Sequence, residues 1–297
     1  MKPLTVFTTT YNRGYCLHQI YHSLVRQTHS DFIWLLIDDG STDQTESLVQ
    51  SWMEENKIEI EYIQQENKGM NGAHNTAYAS IKTPWNVSID SDDYMPDNAV
   101  ELILKNIQNL GSKFAGIVGL DSDTQGNLIG TSFPEALTQS TLSDLYHKQG
   151  VKGDKKIVYR TEIIKKYAPY PLIEGEKFIP PGYLYRLIDQ DYVLKPINEV
   201  FVIVNYQKDG FTKNLFSLYK NNPKGFALHR ILKINLSTNW IERFKNMVHL
   251  ISCCLFSKDL SLLNQTKSPL LILLAFPFGL ALNGYIRLKT KKPTFIK

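Results

Sequence analysis

Asp90-Ser91-Asp92-Asp93 closes an apolar run, Trp85-Asn86-Val87-Ser88-Ile89, and sets three carboxylates within four residues. Like charges this close repel unless something cationic neutralises them. Read as a strand end, the pattern sends Asp90 and Asp92 to one face, because successive side chains alternate. Two carboxylates together where a strand runs out are half of a site for a hard divalent cation. Mg²⁺ or Mn²⁺ would bind there and keep positions open for water or substrate phosphates. The same residues also suit a solvated acidic turn, with Asp92, Asp93 and Asp97 capping a helix that begins at Ala99-Val100-Glu101-Leu102.

The elements that position this cluster alternate between strand and helix over about the first 120 residues. Residues 4–9 read as a strand, broken by Tyr11-Asn12-Arg13-Gly14. Leu17, Ile20, Leu24 and Val25 then recur at helical spacing. Residues 32–37 form a continuous apolar run, as expected of a strand covered on both faces. Asp39-Gly40-Ser41-Thr42-Asp43 reads as a turn ending in a cap, with Leu48, Val49 and Trp52 on the next helix. Residues 58–63 alternate strictly, 67–72 read as a loop, and 73–81 as a short helix. A helix over 99–110 and a strand over 114–120 complete this half. Such alternation predicts a parallel sheet flanked by helices, with ligands at the carboxyl ends of its strands. Each unusual polar cluster follows a strand: 8–12, Asp38-Asp39, and 90–93. One edge would therefore hold all three.

Bulk composition bounds the rest. The chain has 297 residues, 43% hydrophobic and 21% charged, the balance of an ordered globular protein. Lys plus Arg exceed Asp plus Glu by 33 to 29, too small an excess to predict nucleic-acid binding. Cys16, Cys253 and Cys254 fit neither a disulfide framework nor a zinc site, so a reducing, cytoplasmic setting is expected. The first residues do not read as a signal peptide.

Taken together, Thr9-Thr10-Tyr11-Asn12-Arg13, Asp38-Asp39-Gly40-Ser41-Thr42-Asp43, Asn67-Lys68-Gly69, Asn75 and Asp90-Ser91-Asp92-Asp93 resemble the family two glycosyltransferases, in order and spacing. Glu174-Gly175-Glu176-Lys177-Phe178 looks like bacterial members that build surface polysaccharides. The resemblance implies an α/β GT-A fold, Rossmann-like, with a mostly parallel sheet. It implies that Thr9, Tyr11 and Asp39 hold the nucleotide, Tyr11 by stacking on the base and Asp39 by accepting from a ring N–H. Uracil has such an N–H at N3 where cytosine has none, so a UDP-sugar donor is expected. Asp90 would lie near ribose and metal, and Asp92 would ligate the Mn²⁺ or Mg²⁺ that bridges the diphosphate, with Asp93 in support. His74 stands where many members have Arg, and Lys68 would compensate.

The implied reaction moves the sugar to a hydroxyl of a glycan or lipid-linked acceptor, with inversion. It needs a general base in the second half. Many members use a Glu-Asp pair there, which this chain lacks between Ala136 and Gly210. Related bacterial chains tend to carry an acidic residue near the position of Pro181. Glu176 is the first candidate base and Glu174 the second, with Asp189 and Asp191 read as surface residues. Two other readings are a catalytically inactive sugar-nucleotide binder and a nucleotidyltransferase. Thr10-Tyr11-Asn12-Arg13-Gly14 argues against the latter, which usually has a Gly-rich, basic phosphate loop there.

Residues 168–182 read as a loop and 198–206 as a strand. Domain boundaries are expected at 120, between nucleotide and acceptor halves, and at 210, before a helical C-terminal region over 211–297. Within it, residues 270–282 are apolar without interruption, about 13 residues and too short to span a bilayer comfortably. Pro277 would kink this segment, and Arg287, Lys289, Lys291 and Lys292 follow it. With the amphipathic stretch 240–251, this suits attachment to the inner face of the cell membrane.

Overall fold

The computed structural model describes residues 2–205 and 215–290. These fall into two compact units, one within Met1–Pro169 and Leu187–Gln207, the other within Tyr170–Arg186 and Lys208–Lys297. The boundary expected at 210, the end of the strand expected over 198–206, and Lys291 and Lys292 lie outside the described residues. The segment at 170–186, placed by sequence with the first part of the chain, belongs to the second unit.

The first unit is built on a seven-stranded sheet of order β3-β2-β1-β4-β6-β5-β7. Its strands are β1 (Leu4–Thr10), β2 (Phe32–Asp38), β3 (Ile60–Gln64), β4 (Trp85–Ser88), β5 (Phe114–Asp123), β6 (Lys155–Arg160) and β7 (Val193–Val204). Helices α1 (Leu17–Val25), α2 (Thr45–Glu55), α3 (Gly69–Ser80) and α4 (Ala99–Ile107) follow the first four strands, and α5 (Leu142–His147) and α6 (Thr161–Tyr167) flank β6. Thr10 pairs with Asp38 and Phe7 with Ser88 in parallel register, so β1, β2 and β4 end at one edge. The chain runs outward from β1 to β3 and returns on the other side as β4, which makes β1/β4 a switch point of the kind where ligands gather. The apolar alternation of the strands buries Leu4, Val6, Trp34, Leu36 and Val87 against Leu17, Ile20 and Leu24 of α1. Tyr21 stacks on Trp52 with ring centroids 4.3 Å apart.

β6 runs antiparallel to both β4 and β5, so the sheet is mostly parallel, as the resemblance implied. Two differences from the sequence expectation have physical causes. Residues 69–72, expected as loop, are the first turn of α3. The side chain that starts this helix lies thirty residues upstream, as described below. β7 begins at Val193, five residues before the expected strand.

In the second unit, α8 (Leu215–Asn221), α9 (Pro223–Leu236), α10 (Trp240–Ser257) and α11 (Pro269–Lys289) enclose their own core, which includes Phe226, Ile234, Met247, Leu250, Cys253 and Ala275. A 3-10 turn, Leu260–Thr266, joins α10 to α11. α7 (Gly182–Ile188) precedes β7 in the chain. Every fourth residue of α11 from Leu271 is buried, through Ala275 and Gly279 to Asn283. A Cβ on Gly279 would stand 2.5 Å from the Ile251 side chain, so this close crossing needs glycine.

Candidate functional site

Three loops at the carboxyl edge of the first unit are tied together by named hydrogen bonds. The loop after β1 holds the loop after β2: the Asn12 N–H donates to Ser41 Oγ (2.9 Å), and the Thr42 N–H donates to Asn12 Oδ1 (2.8 Å). Asn12 adopts a φ of +53°, a left-handed conformation that asparagine tolerates better than most residues. The Gly14 N–H donates to Asp43 Oδ2 (3.0 Å), whose other oxygen accepts from the N–H and hydroxyl of Thr45. Burial works to raise the Asp43 pKa, but these hydrogen bonds outweigh it and hold the carboxyl below its ordinary range. The third loop joins through Arg13, whose Nη1 lies 3.0 Å from Asp92 Oδ2, and through Cys16, whose Sγ donates to Ser91 O at 3.4 Å.

Asp38 and Asp39 divide the work after β2. Asp38 is fully buried and accepts from the Ser41 N–H and the Tyr62 hydroxyl. Asp39 is 4% exposed and accepts from Gln65 Nε2 (2.7 Å) and from the backbone N–H groups of Lys68 (2.8 Å) and Gly69 (2.8 Å). The first N–H groups of a helix have no partner within it, and an anion there is favoured by the helix dipole. Asp39 therefore fixes where α3 begins. Beside it, Tyr11 is 50% exposed, Lys68 is exposed and Thr9 is half-buried.

The acidic cluster is not the end of a strand. β4 stops at Ser88, and the Asp93 N–H bonds to Asp90 O at 3.0 Å, closing a turn. Strand alternation therefore does not apply to Asp90 and Asp92. Asp90 is exposed, Asp92 is half-buried against Arg13, and Asp93 is buried. Burial raises the Asp92 carboxyl; the Arg13 charge opposes this and the Asp90 charge adds to it. Asp93 is pushed up to about 7, chiefly by burial and then by Asp90, while accepting from the Asn205 N–H at 3.0 Å. Asp90 and Asp92 thus feel one another as like charges in a hard-oxygen pair. That donor set fits a divalent cation that draws its remaining ligands from phosphate and water.

His74 is not a surface cation. Its ring is buried edge-on to Phe7 and Tyr78, with Nδ1 2.9 Å from Met70 O. Burial lowers its pKa and favours the neutral ring.

Sequence reasoning passed over two residues of this edge. Asp121, near the end of β5, is 2% exposed, and its Oδ1 has no hydrogen-bond partner among the described residues. Burial pushes its pKa to about 6 against the lowering effect of Lys156. Lys156, at the start of antiparallel β6, also acts on Asp93. Asp121 was findable, as a carboxylate closing an apolar run. Lys156 was not, since its position depends on an antiparallel pairing.

The candidate base residues lie in the second unit. Glu176 is half-buried, and its two oxygens accept from the N–H groups of Lys224 (2.9 Å) and Gly225 (2.8 Å), at the start of α9. Glu174 is exposed. In the first unit, Asp189 accepts from the N–H groups of Leu142 and Ser143 and so caps α5, while Asp191 accepts from the Tyr167 hydroxyl.

The family model described as "Glycosyl transferase family 2" matches residues 5–167. Among curated relatives, the "Teichoic acid poly(glycerol phosphate) polymerase" of Staphylococcus epidermidis is 30% identical over 39% of this chain and 16% of its own length. "Chondroitin synthase" of Escherichia coli is 30% identical over 44% of this chain and 19% of its own. The chain thus spans under a fifth of the length of these two relatives. Among solved structures, S. aureus TarS 1-349 in complex with UDP-GlcNAc aligns with a TM-score of 0.61 at 18% identity, covering 93% of this chain and 79% of that one. The mannosyltransferase PcManGT from Pyrobaculum calidifontis, in complex with GDP-Man and Mn²⁺, aligns with a TM-score of 0.58 at 15% identity, covering 99% and 88%. At these identities the likeness establishes the fold, which is GT-A.

Proposed function

Because this chain belongs to glycosyl transferase family 2, we propose that it moves a sugar from a nucleoside diphosphate sugar to a hydroxyl of a glycan or lipid-linked acceptor, in cell-surface polysaccharide synthesis. One observation carries this reading: the loops after β1, β2 and β4 are stitched into one edge by Asn12, Gly14, Arg13 and Cys16.

The residues take the following parts. Tyr11, half exposed, stacks on the base. Thr9 and Asp39 hold the nucleoside, and Asp39 accepts from uracil N3–H, so the donor is a UDP-sugar. Asp90 contacts the ribose, and Lys68 supplies a positive charge that His74, buried and favoured neutral, does not. Asp92 and Asp90 would hold Mn²⁺ or Mg²⁺, which supplies neutralisation of charge on the departing diphosphate. Arg13, already within 3.0 Å of Asp92, opposes the rise that burial imposes on that carboxyl and adds positive charge to the loop.

An acceptor hydroxyl attacks the anomeric carbon opposite the leaving group, which inverts that centre. Its proton passes to a carboxylate. Glu176 is the first choice for this base and Glu174 the second. The two backbone bonds that Glu176 accepts fix it in place. Those bonds equally suit a purely architectural residue, which supports a second reading, an inactive sugar-nucleotide-binding partner in assembly.

The setting proposed is the cytoplasm, on the inner face of the membrane. α11, at 21 residues, is long and apolar enough to cross a bilayer by length and composition, longer than the apolar run suggested. It packs one side on α10 and leaves Leu270, Leu273, Phe278 and Leu288 exposed, which suits lying at an interface.

The test is a thermal-shift panel of UDP-, GDP- and TDP-sugars with and without Mn²⁺, followed by donor hydrolysis and transfer assays. A ligand that binds the folded form raises Tm by mass action. Stabilisation by UDP-sugars with turnover supports the enzyme; stabilisation without turnover supports the inactive binder; no stabilisation by any nucleotide sugar removes both.

A further inference from the structure

The first unit carries a cleft of about 550 Å³ at the sheet edge opposite the proposed donor site. Arg160 at the end of β6 pairs with Trp85 at the start of β4, and Phe114 with Val193 at the starts of β5 and β7. The cleft opens where these strand ends meet α6, among Ser112, Arg160, Glu162, Lys166 and Tyr192. Its volume falls in the range of pockets that bury small ligands.

The walls are held from behind. Arg160 Nε donates to Phe114 O at 3.2 Å and Nη2 to Leu110 O, and the guanidinium lies 4.5 Å from the centroid of the Trp85 ring. The Tyr192 N–H donates to Ile188 O at 3.0 Å, and its ring meets that of Tyr167 edge-on with centroids 6.4 Å apart. Lys166 Nζ stands 5.3 Å from the Tyr192 ring centroid and 3.7 Å from Asp191 Oδ2. Walls fixed in this way lose little further freedom when a ligand arrives.

The polar groups of the cleft are left unmatched. Arg160 and Glu162 both line it, yet they form no ion pair. Glu162 and Lys166 stand four residues apart on α6, the spacing at which opposite charges meet, and do not pair either. Among the described residues Arg160 Nη1 and the hydroxyls of Ser112 and Tyr192 have no hydrogen-bond partner, and the Glu162 carboxylate has none. Leu110 and Ile163 add apolar surface beside the Tyr192 ring.

Opposite charges that share a cleft without touching ask for a ligand that both accepts and donates. A simple anion would meet Arg160 and be repelled by Glu162, and a simple cation would do the reverse. A sugar hydroxyl accepts from a guanidinium and donates to a carboxylate at once. The C–H face of a sugar ring covers an aromatic or aliphatic wall, as amphipathic partners of tyrosine do. We propose that this cleft binds carbohydrate, a short stretch of neutral glycan, at a site separate from the donor edge. Held there, the assembled part of a glycan stays on the enzyme while its end is extended at the other edge. That use rests on the transfer reading above; the binding itself does not.

The experiment uses the full chain. Fluorescently labelled protein is applied to an array of bacterial-surface and plant glycans, neutral and acidic, with UDP and Mn²⁺ present to fill the donor edge. The strongest binder is then titrated by calorimetry. The wild type is compared with Glu162→Ala and with Tyr192→Phe, which removes the hydroxyl and keeps the ring. A neutral glycan is expected to bind the wild type, and to bind Glu162→Ala about tenfold or more weakly, as loss of a hydrogen bond to a charged group predicts. Tyr192→Phe should bind severalfold more weakly, and Ser112→Ala takes its place if that variant does not melt cooperatively. A wild type that binds no glycan, folded variants that bind as tightly as the wild type, or binding confined to acidic glycans and lost in salt each overturns the site. Thermal shifts with UDP-sugars keep the two readings apart. Stabilisation by a UDP-sugar without glycan binding sinks this site and leaves the donor reading standing. Glycan binding weakened in Glu162→Ala, with no UDP-sugar stabilising the protein, supports the site and removes the donor reading.

Discussion

Asp39 follows β2 directly, and its carboxylate accepts the backbone N–H of Gly69, thirty residues along the chain, at 2.8 Å. The residue proposed to read the base is thus also the residue that starts α3. Asp39→Asn leaves an amide N–H facing a donor whichever way it turns. The expected loss is about 1–3 kcal/mol of stability, seen as a lower Tm, together with loss of protection by UDP. Unchanged melting would show that α3 does not need this carboxylate.

Arg13 and the proposed cation compete for Asp92. Removing the guanidinium by Arg13→Gln leaves a half-buried carboxylate unpaired and should lower the metal-free Tm. Added Mn²⁺ should then stabilise the variant more than the wild type. A smaller Mn²⁺ response in the variant would instead make Arg13 part of the binding set.

Asp121 gives a pH signature. Its pKa is raised from 3.8 to about 6, mainly by burial, so folding favours the protonated form. The associated stability is complete below about pH 4 and is lost as pH rises through about 6, amounting to about 3 kcal/mol at most. Asp121→Asn should therefore match the wild type near pH 4 and exceed it at pH 8, in urea unfolding at the two pH values. A variant less stable at pH 8 would mean that the charged carboxylate is compensated in the folded state.

Glu176 can be separated into its two proposed parts. Glu176→Ala removes both acceptors at the start of α9 and should lower stability by about 1–2 kcal/mol, as losses of helix caps do. Glu176→Gln keeps one acceptor. If Glu176 is the base, Glu176→Gln lowers kcat by orders of magnitude with donor binding intact. Near-normal turnover in that variant leaves Glu176 as a cap alone.

Membrane attachment is better tested by substitution than by truncation, because Leu271, Ala275 and Ile286 of α11 belong to the core of the second unit. Leu273, 71% exposed, and Phe278, 56% exposed, do not. Leu273→Glu/Phe278→Glu should abolish co-sedimentation with anionic vesicles at little change in Tm. Retained sedimentation would remove this face from the attachment.

Much of the first unit was legible because its strands and helices carry their own periodicity, and because polar clusters after apolar runs mark strand ends. The cluster at 90–93 was found for that reason. Its geometry was not, since a strand that stops at Ser88 and a turn closed by Asp93 look alike in sequence to two more residues of strand. The start of α3 was misplaced because its cap, Asp39, is supplied from a distant loop.

The reversed direction of β6 has one more outcome. β5 leaves the sheet and β6 enters it at the edge where β1, β2 and β4 finish, so the whole connection from 124 to 154 begins and ends above the proposed donor. Ser140 within it is bonded to Leu194 of β7 by two backbone hydrogen bonds, so lengthening or exchanging the residues away from that rung would reshape what borders the sugar while the ladder beneath stays in place, which makes them the natural place to graft a different acceptor preference.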